Sequence, residues 1–308
     1  MSGVIMRTLP FVALLITALG VCASTAPRQT QDGPPVLSIR TDLVTLTVTV
    51  VDRKGAFVTG LRQDHFTIYD NDESRPIQFF TNEDAPATIG LVIDSSGSMR
   101  GRREQIAAAV TAFAATSHPL DEFFTLNFND RVWLGLPPSQ TFTADRHLLL
   151  AAISALPTEG MSALYDGLDR ALQQLALGTH DRKALIVLSD GGDNASAQTL
   201  EGVTEHARRS GAPIYAVTLF DPDNHDARPR ALRKLAHETG GDAFTPRSSS
   251  DVMDSFMQIA QELRRVYTIG FVPPDTTGSG FRSIRVVADA GDGRQLIART
   301  RAGYYAQP

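Results

Sequence analysis

A single cysteine, Cys22, stands in 308 residues, so no internal disulfide can form and no thiolate cluster can hold a metal. The seven histidines are scattered, without a pair at helical ligand spacing, which argues against a histidine-based zinc site. Excess positive charge is also lacking. Twenty-nine Lys and Arg against 34 Asp and Glu leave a formal net charge of -5, and no basic run offsets it. That balance argues against a nucleic-acid-binding surface. The phosphate-cradling patterns G-x-x-x-x-G-K-[ST] and G-x-G-x-x-G do not occur, and Gly160-Met161-Ser162-Ala163-Leu164 lacks the closing glycine of a nucleophile elbow. The apolar run Leu9–Val21 is too short to span a bilayer comfortably.

That short run is itself informative. It follows Arg7 and ends in small residues, the layout of an export signal, and Val21-Cys22-Ala23 fits a small-x-small cleavage site. Residues 1–23 therefore read as a signal peptide, which places the folded part in the periplasm or outside the cell. Lipidation of Cys22, from the near-lipobox Leu19-Gly20-Val21-Cys22, and an uncleaved signal anchor are the competing readings. Residues 24–35 are polar and proline-bearing and read as a flexible leader.

What remains is ordinary globular material, 42% hydrophobic and 20% charged, enough for one large domain and a smaller one. Residues 36–84 alternate apolar and polar, most regularly in Leu43–Val51, and read as half-buried strands too few to make a sheet alone. From about residue 85 to 266 strands and helices alternate. Thr88–Ile93 and Lys183–Ser189 are apolar runs of the kind buried on both faces of a parallel sheet. Residues 267–308 return to strand patterns. The expected fold class is thus α/β, a doubly wound, mostly parallel sheet with helices on both faces. A small β-sandwich built from the N- and C-terminal strands flanks it, since each set is marginal alone and domain termini usually lie close together.

The chemistry concentrates after the first buried strand. In Asp94-Ser95-Ser96-Gly97-Ser98 the side chains of Asp94, Ser96 and Ser98 alternate, so an extended turn brings them toward one point. A carboxylate with two hydroxyls is an all-oxygen set suited to a hard cation. The plainer alternative is that Ser96 or Ser98 caps the next helix. Two later stretches also fall where an open α/β sheet places its ligands, at or beside the carboxyl ends of strands. Gly160-Met161-Ser162 puts a hydroxyl at a helix start, and Leu188-Ser189-Asp190-Gly191-Gly192 puts a carboxylate at a strand end.

Together, in this order and at these intervals, the three stretches resemble a von Willebrand factor type A (VWFA) domain with its metal-ion-dependent adhesion site. The flanks, Gly55 to Phe66 and Arg301 to Tyr305, are similar to exported bacterial proteins of that kind. The resemblance implies that Asp94, Ser96 and Ser98 are direct ligands of Mg²⁺, with Mn²⁺ or Ca²⁺ as alternatives. Ser162 stands where the family has threonine, and Asp190 closes the set. Only two of these five residues carry charge, so a partner's Asp or Glu carboxylate would be attracted to the ion. The rim would lie in Met99–Arg103, Gly160–Met161 and Gly192–Asn194, with Arg100, Arg102, Arg103 and Asp193 as candidates, and Asp221 and Asp223 in a further acidic loop. The expected function is a non-enzymatic, metal-dependent protein-binding module. The alternatives are an accessory subunit of an envelope complex whose binding ignores chelators, and a metal-assisted hydrolase using Asp94 and Asp190.

Overall fold

The computed structural model describes residues 43–154, 158–219, 229–274 and 280–306. The export signal, the leader, Cys22, Asp221 and Asp223 all lie outside the described residues.

The organising strand is β5 (Ala87–Asp94), buried at every position. Apolar residues on both its faces explain this: Ile89, Leu91 and Ile93 pack on one side of the sheet, Val92 on the other. Gly90 is needed for close packing, because a Cβ there would fall 2.3 Å from the ring of Phe124. Strand β6 (Glu122–Phe128) pairs in parallel with one edge of β5, and β7 (Val132–Leu134) returns antiparallel as a hairpin. On the other edge lies β8 (Arg182–Ser189), then β9 (Ile214–Thr218) and the two-residue β10 (Ala243–Phe244), all parallel. The spatial order is β10-β9-β8-β5-β6-β7. The order therefore reverses between β5 and β8, and a crevice opens there at the carboxyl ends of the strands.

Helices cover both faces, as the alternation requires. α1 (Arg103–Thr116) and α6 (Ser249–Arg264) pack over one face, with Phe113 and Phe256 edge to face at 5.8 Å between ring centroids. α2 (Arg146–Ser154) buries Leu149 and Ile153 on that same side. The opposite face carries α3 (Leu164–Ala176), α4 (Leu200–Ser210) and α5 (Pro229–Thr239). α4 begins at Thr199, whose hydroxyl accepts from the Gly202 N–H, and stops at Gly211 in the left-handed region.

The terminal strands form two four-stranded antiparallel sheets, and each mixes the two ends of the chain. β1 (Val44–Asp52) lies between β11 (Tyr267–Phe271) and β13 (Leu296–Arg299), with β4 (Phe79–Thr81) outside β11. β2 (Phe66–Asp70) lies between β12 (Phe281–Ala288) and β3 (Glu73–Arg75), with β14 (Gly303–Tyr305) beyond β12. The inward residues of both sheets, among them Leu46, Val48, Ile68, Ile269 and Val286, share one core. The short strands β3 and β14 carry no periodic signal. β3 follows from the turn, because Asn71 and Asp72 both have positive φ (48° and 62°), the geometry of a tight two-residue hairpin.

The sandwich is tied to the α/β sheet by a buried carboxylate. Glu262 of α6, with no exposed surface, accepts from Thr49 Oγ1 of β1 at 2.9 Å, from Tyr215 Oη of β9 at 3.2 Å and from Arg299 of β13 at 2.5 Å. Arg299 also pairs with Asp242. Burial pushes Glu262 above the usual carboxylate range, and the Arg299 charge pulls the other way.

Candidate metal centre

Asp94 is the last residue of β5, paired with Phe128 of β6 on one edge while Ile93 before it is the last to pair with β8, and it is buried at 2% exposure. Oδ1 accepts from the Ser96 N–H at 2.9 Å. Oδ2 accepts from the Ser189 hydroxyl at 2.6 Å and lies 3.4 Å from Ser162 Oγ. The backbone then makes a single 3-10 turn over Gly97–Met99, with Met99 buried as its anchor. Ser96 Oγ and Ser98 Oγ lie 3.1 Å apart. Neither serine caps α1, which starts at Arg103 after Arg102, and no side-chain cap is made at either turn. The capping alternative thus has no geometry to support it.

Two other loops are stitched to this turn by backbone hydrogen bonds. Gly97 N–H donates to Gly160 O at 3.1 Å, and Glu159 N–H donates to Ser95 O at 3.0 Å. Ser162 lies two residues before α3. Its hydroxyl donates to Gly192 O at 3.0 Å, while its N–H is held by Asn194 Oδ1 at 2.8 Å. Asp190 follows β8 at 2% exposure and accepts from the Gly192 N–H at 2.9 Å. Asp94, Ser96, Ser98, Ser162 and Asp190 therefore come from three separated stretches to one end of one crevice.

The electrostatics favour a cation. Burial pushes Asp94 up to about 6, hydrogen bonds from Ser189 and Ser96 oppose the rise, and the nearby charge of Asp190 adds to it. Two carboxylates of like charge, both out of water, are a poor arrangement unless a proton or a positive ion joins them. Among the described residues no three His, Cys, Asp or Glu side chains cluster as a possible metal cage. Here hydroxyls complete an all-oxygen set, and Ser98 is exposed, which leaves the set open to solvent. The donor chemistry fits Mg²⁺, Mn²⁺ or Ca²⁺.

The rim candidates separate. Arg100 is exposed and Arg102 half-buried beside the turn. Arg103 instead reaches Thr158 Oγ1 at 2.9 Å and braces the loop after α2. Asp193 is taken up internally, with Oδ1 accepting from Ser196 Oγ at 2.5 Å and from the Tyr165 N–H at 3.2 Å. Three participants have roles that the sequence does not assign to them. Ser189 is a hydroxyl at the last strand position beside Asp190, a signal that was present. Asn194 and Asp130, whose Oδ1 accepts from the Met161 N–H at 2.8 Å, sit in turns that look like any others.

A family model described as von Willebrand factor type A domain matches residues 88–259. An uncharacterized protein of Synechocystis sp. is 25% identical over 187 residues, 59% of this chain and 42% of that protein, so this chain spans less than half of that relative's length. Among solved structures, a von Willebrand factor type A protein from Catenulispora acidiphila is similar at 16% identity and a TM-score of 0.49, over 87% of this chain and 75% of that one. The vWF domain of the type V pili tip protein Mfa5 from Porphyromonas gingivalis is similar at 16% identity and a TM-score of 0.48, over 58% of this chain and 95% of that one.

Proposed function

Because this chain belongs to the von Willebrand factor type A domain family, we propose that it is an exported, non-enzymatic protein-binding module that takes a partner's Asp or Glu side chain at a divalent cation. Asp94, Ser96, Ser98, Ser162 and Asp190 would hold the ion, Mg²⁺ first, with Mn²⁺ or Ca²⁺ as alternatives. When bound, the ion supplies positive charge that two carboxylates only balance and three hydroxyls do not reduce, so a third carboxylate is attracted.

The observation that carries this reading is the pair of buried carboxylates at the reversal point, completed by hydroxyls alone and open at Ser98. The non-enzymatic role is supported by the engagement of Asp94. Donors from Ser96 and Ser189 hold one oxygen each, which suits a fixed ligand better than a base that must accept a substrate's proton. Export is supported by the sequence of residues 1–23. Among the described residues no helix is long and apolar enough to cross a membrane.

The test is capture from the source organism's envelope fraction on wild-type protein and on Asp94→Ala, each in Mg²⁺ and in EDTA. A partner held only by wild type in Mg²⁺, and lost when its acidic residue becomes the amide, supports the proposal. A partner held equally in EDTA makes the chain a chelator-indifferent accessory subunit instead.

A further inference from the structure

Nine large hydrophobic side chains are exposed among the described residues. Six stand on the β-sandwich. Leu120 and Leu177 lie at the amino-terminal end of the α/β sheet, one before β6 and one after α3. Met161 alone stands at the carboxyl end, 53% exposed and next in sequence to Ser162.

Its exposure is built into the loop. Gly160 has φ +83°, a conformation that favours glycine, and the Asp130 carboxylate occupies the space a Cβ at Gly160 would need. That carboxylate accepts the Met161 N–H, and Gly160 O accepts from Gly97, so the peptide is clamped from two sides. Met161 is thereby held out in water next to Ser162, where the described residues offer no other exposed large apolar side chain.

Resting on the reading that this site takes a carboxylate, we propose that Met161 is a specificity determinant. The partner segment then carries its Asp or Glu with a large apolar residue two positions away. An unbranched thioether suits this task, since it adapts to aliphatic or aromatic partners and makes favourable sulfur–aromatic contacts. The spacing follows from strand geometry. In an extended segment residues i and i+2 share a face about 7 Å apart, whereas the residue adjacent to the acid points away. In such a segment the side chain two positions from the acid is the one this proposal assigns to Met161. Arg100, exposed on the other loop of the rim, adds a preference for further negative charge.

The inference is tested with a displayed library of random seven-residue peptides, selected on the immobilised full chain in Mg²⁺ and counter-selected on Asp94→Ala. Wild type should enrich acid-x-apolar or apolar-x-acid sequences. Met161→Gln should keep the acid and lose the apolar preference, weakening the selected peptides about tenfold, while Met161→Leu keeps both. Unchanged thermal midpoints in both variants exclude misfolding. Acidic peptides with no apolar preference, or with the same preference in Met161→Gln, overturn this inference and leave the carboxylate reading standing. No acidic enrichment, or equal enrichment in EDTA, overturns that reading and this inference with it.

Discussion

Ser189 donates its hydroxyl proton to Asp94 Oδ2 at 2.6 Å, across the two strands between which the sheet reverses its order. The contact joins residues 95 positions apart and sets the orientation of the carboxylate that begins the site. Ser189 has no exposed surface, so its role is to aim Asp94, not to meet a partner.

Replacing Ser189 by alanine therefore removes an orienting partner while leaving all five proposed ligands in place. Outer-shell partners of this kind are worth about 10–100-fold in metal affinity. Titration calorimetry with Mn²⁺ on Ser189→Ala should show a loss in that range. Unchanged affinity would mean that Asp94 needs no help to find its orientation.

Metal binding should be visible as stability. A ligand that binds only the folded state at a hundredfold excess over its Kd stabilises by about 2.7 kcal/mol. At about 2–4 °C per kcal/mol for a chain of this size, Mg²⁺ should raise the wild-type thermal midpoint by about 5–10 °C. Asp94→Ala should abolish the rise and still unfold cooperatively. An equal rise in the mutant would place the ion elsewhere.

Asp94 gives the site a pH dependence with a definite sign. Its acid is pushed from an ordinary 3.8 up to about 6 in the folded protein by burial and by Asp190. In EDTA, the folded state holds a proton that the unfolded state releases, so this contribution is full below about pH 4 and is lost as pH rises through about 6. With each unit worth about 1.4 kcal/mol, the loss is on the order of 3 kcal/mol. Thermal midpoints of wild type and Asp94→Asn, compared from pH 4 to 7 in EDTA, isolate it: the wild type should fall relative to the variant. In Mg²⁺ the trend reverses, because below about 6 protons compete with the ion. Parallel curves in EDTA would mean that Asp94 titrates normally.

Arg299 bridges Asp242 and Glu262 at the junction of sandwich and sheet. Arg299→Ala leaves Glu262 buried without its cation and should cost about 3–5 kcal/mol in denaturant unfolding. Adding Glu262→Gln removes the stranded charge and should recover part of the loss, a coupling that independent sites would not show.

The elements read most easily from the sequence are those whose burial is uniform or strictly periodic. β5 and β8 are apolar on both faces, β12 alternates, and α3 places Leu164, Leu168, Leu172 and Leu175 on one side. Their neighbours impose what the sequence already states. α2 begins only at Arg146, because Thr143 pairs with Phe123 at the sheet edge before the helix can start. β3 and β14, three residues each, exist only because β2 and β12 offer an edge to pair with.

The order Asp94, Ser96, Ser98, then Ser162, then Asp190 is a property of the sequence alone, since those residue types at those intervals already name an oxygen-rich site. The reversal between β5 and β8 is a matter of long-range pairing, and that pairing decided what the motifs could not. It closes Ser189 on Asp94, turns Arg103 and Asp193 inward to brace loops, and leaves Met161 in water. Residue type fixes which atoms can donate or accept. Which atoms meet depends on strands and loops brought together from distant parts of the chain, and a local pattern carries no information about that distance.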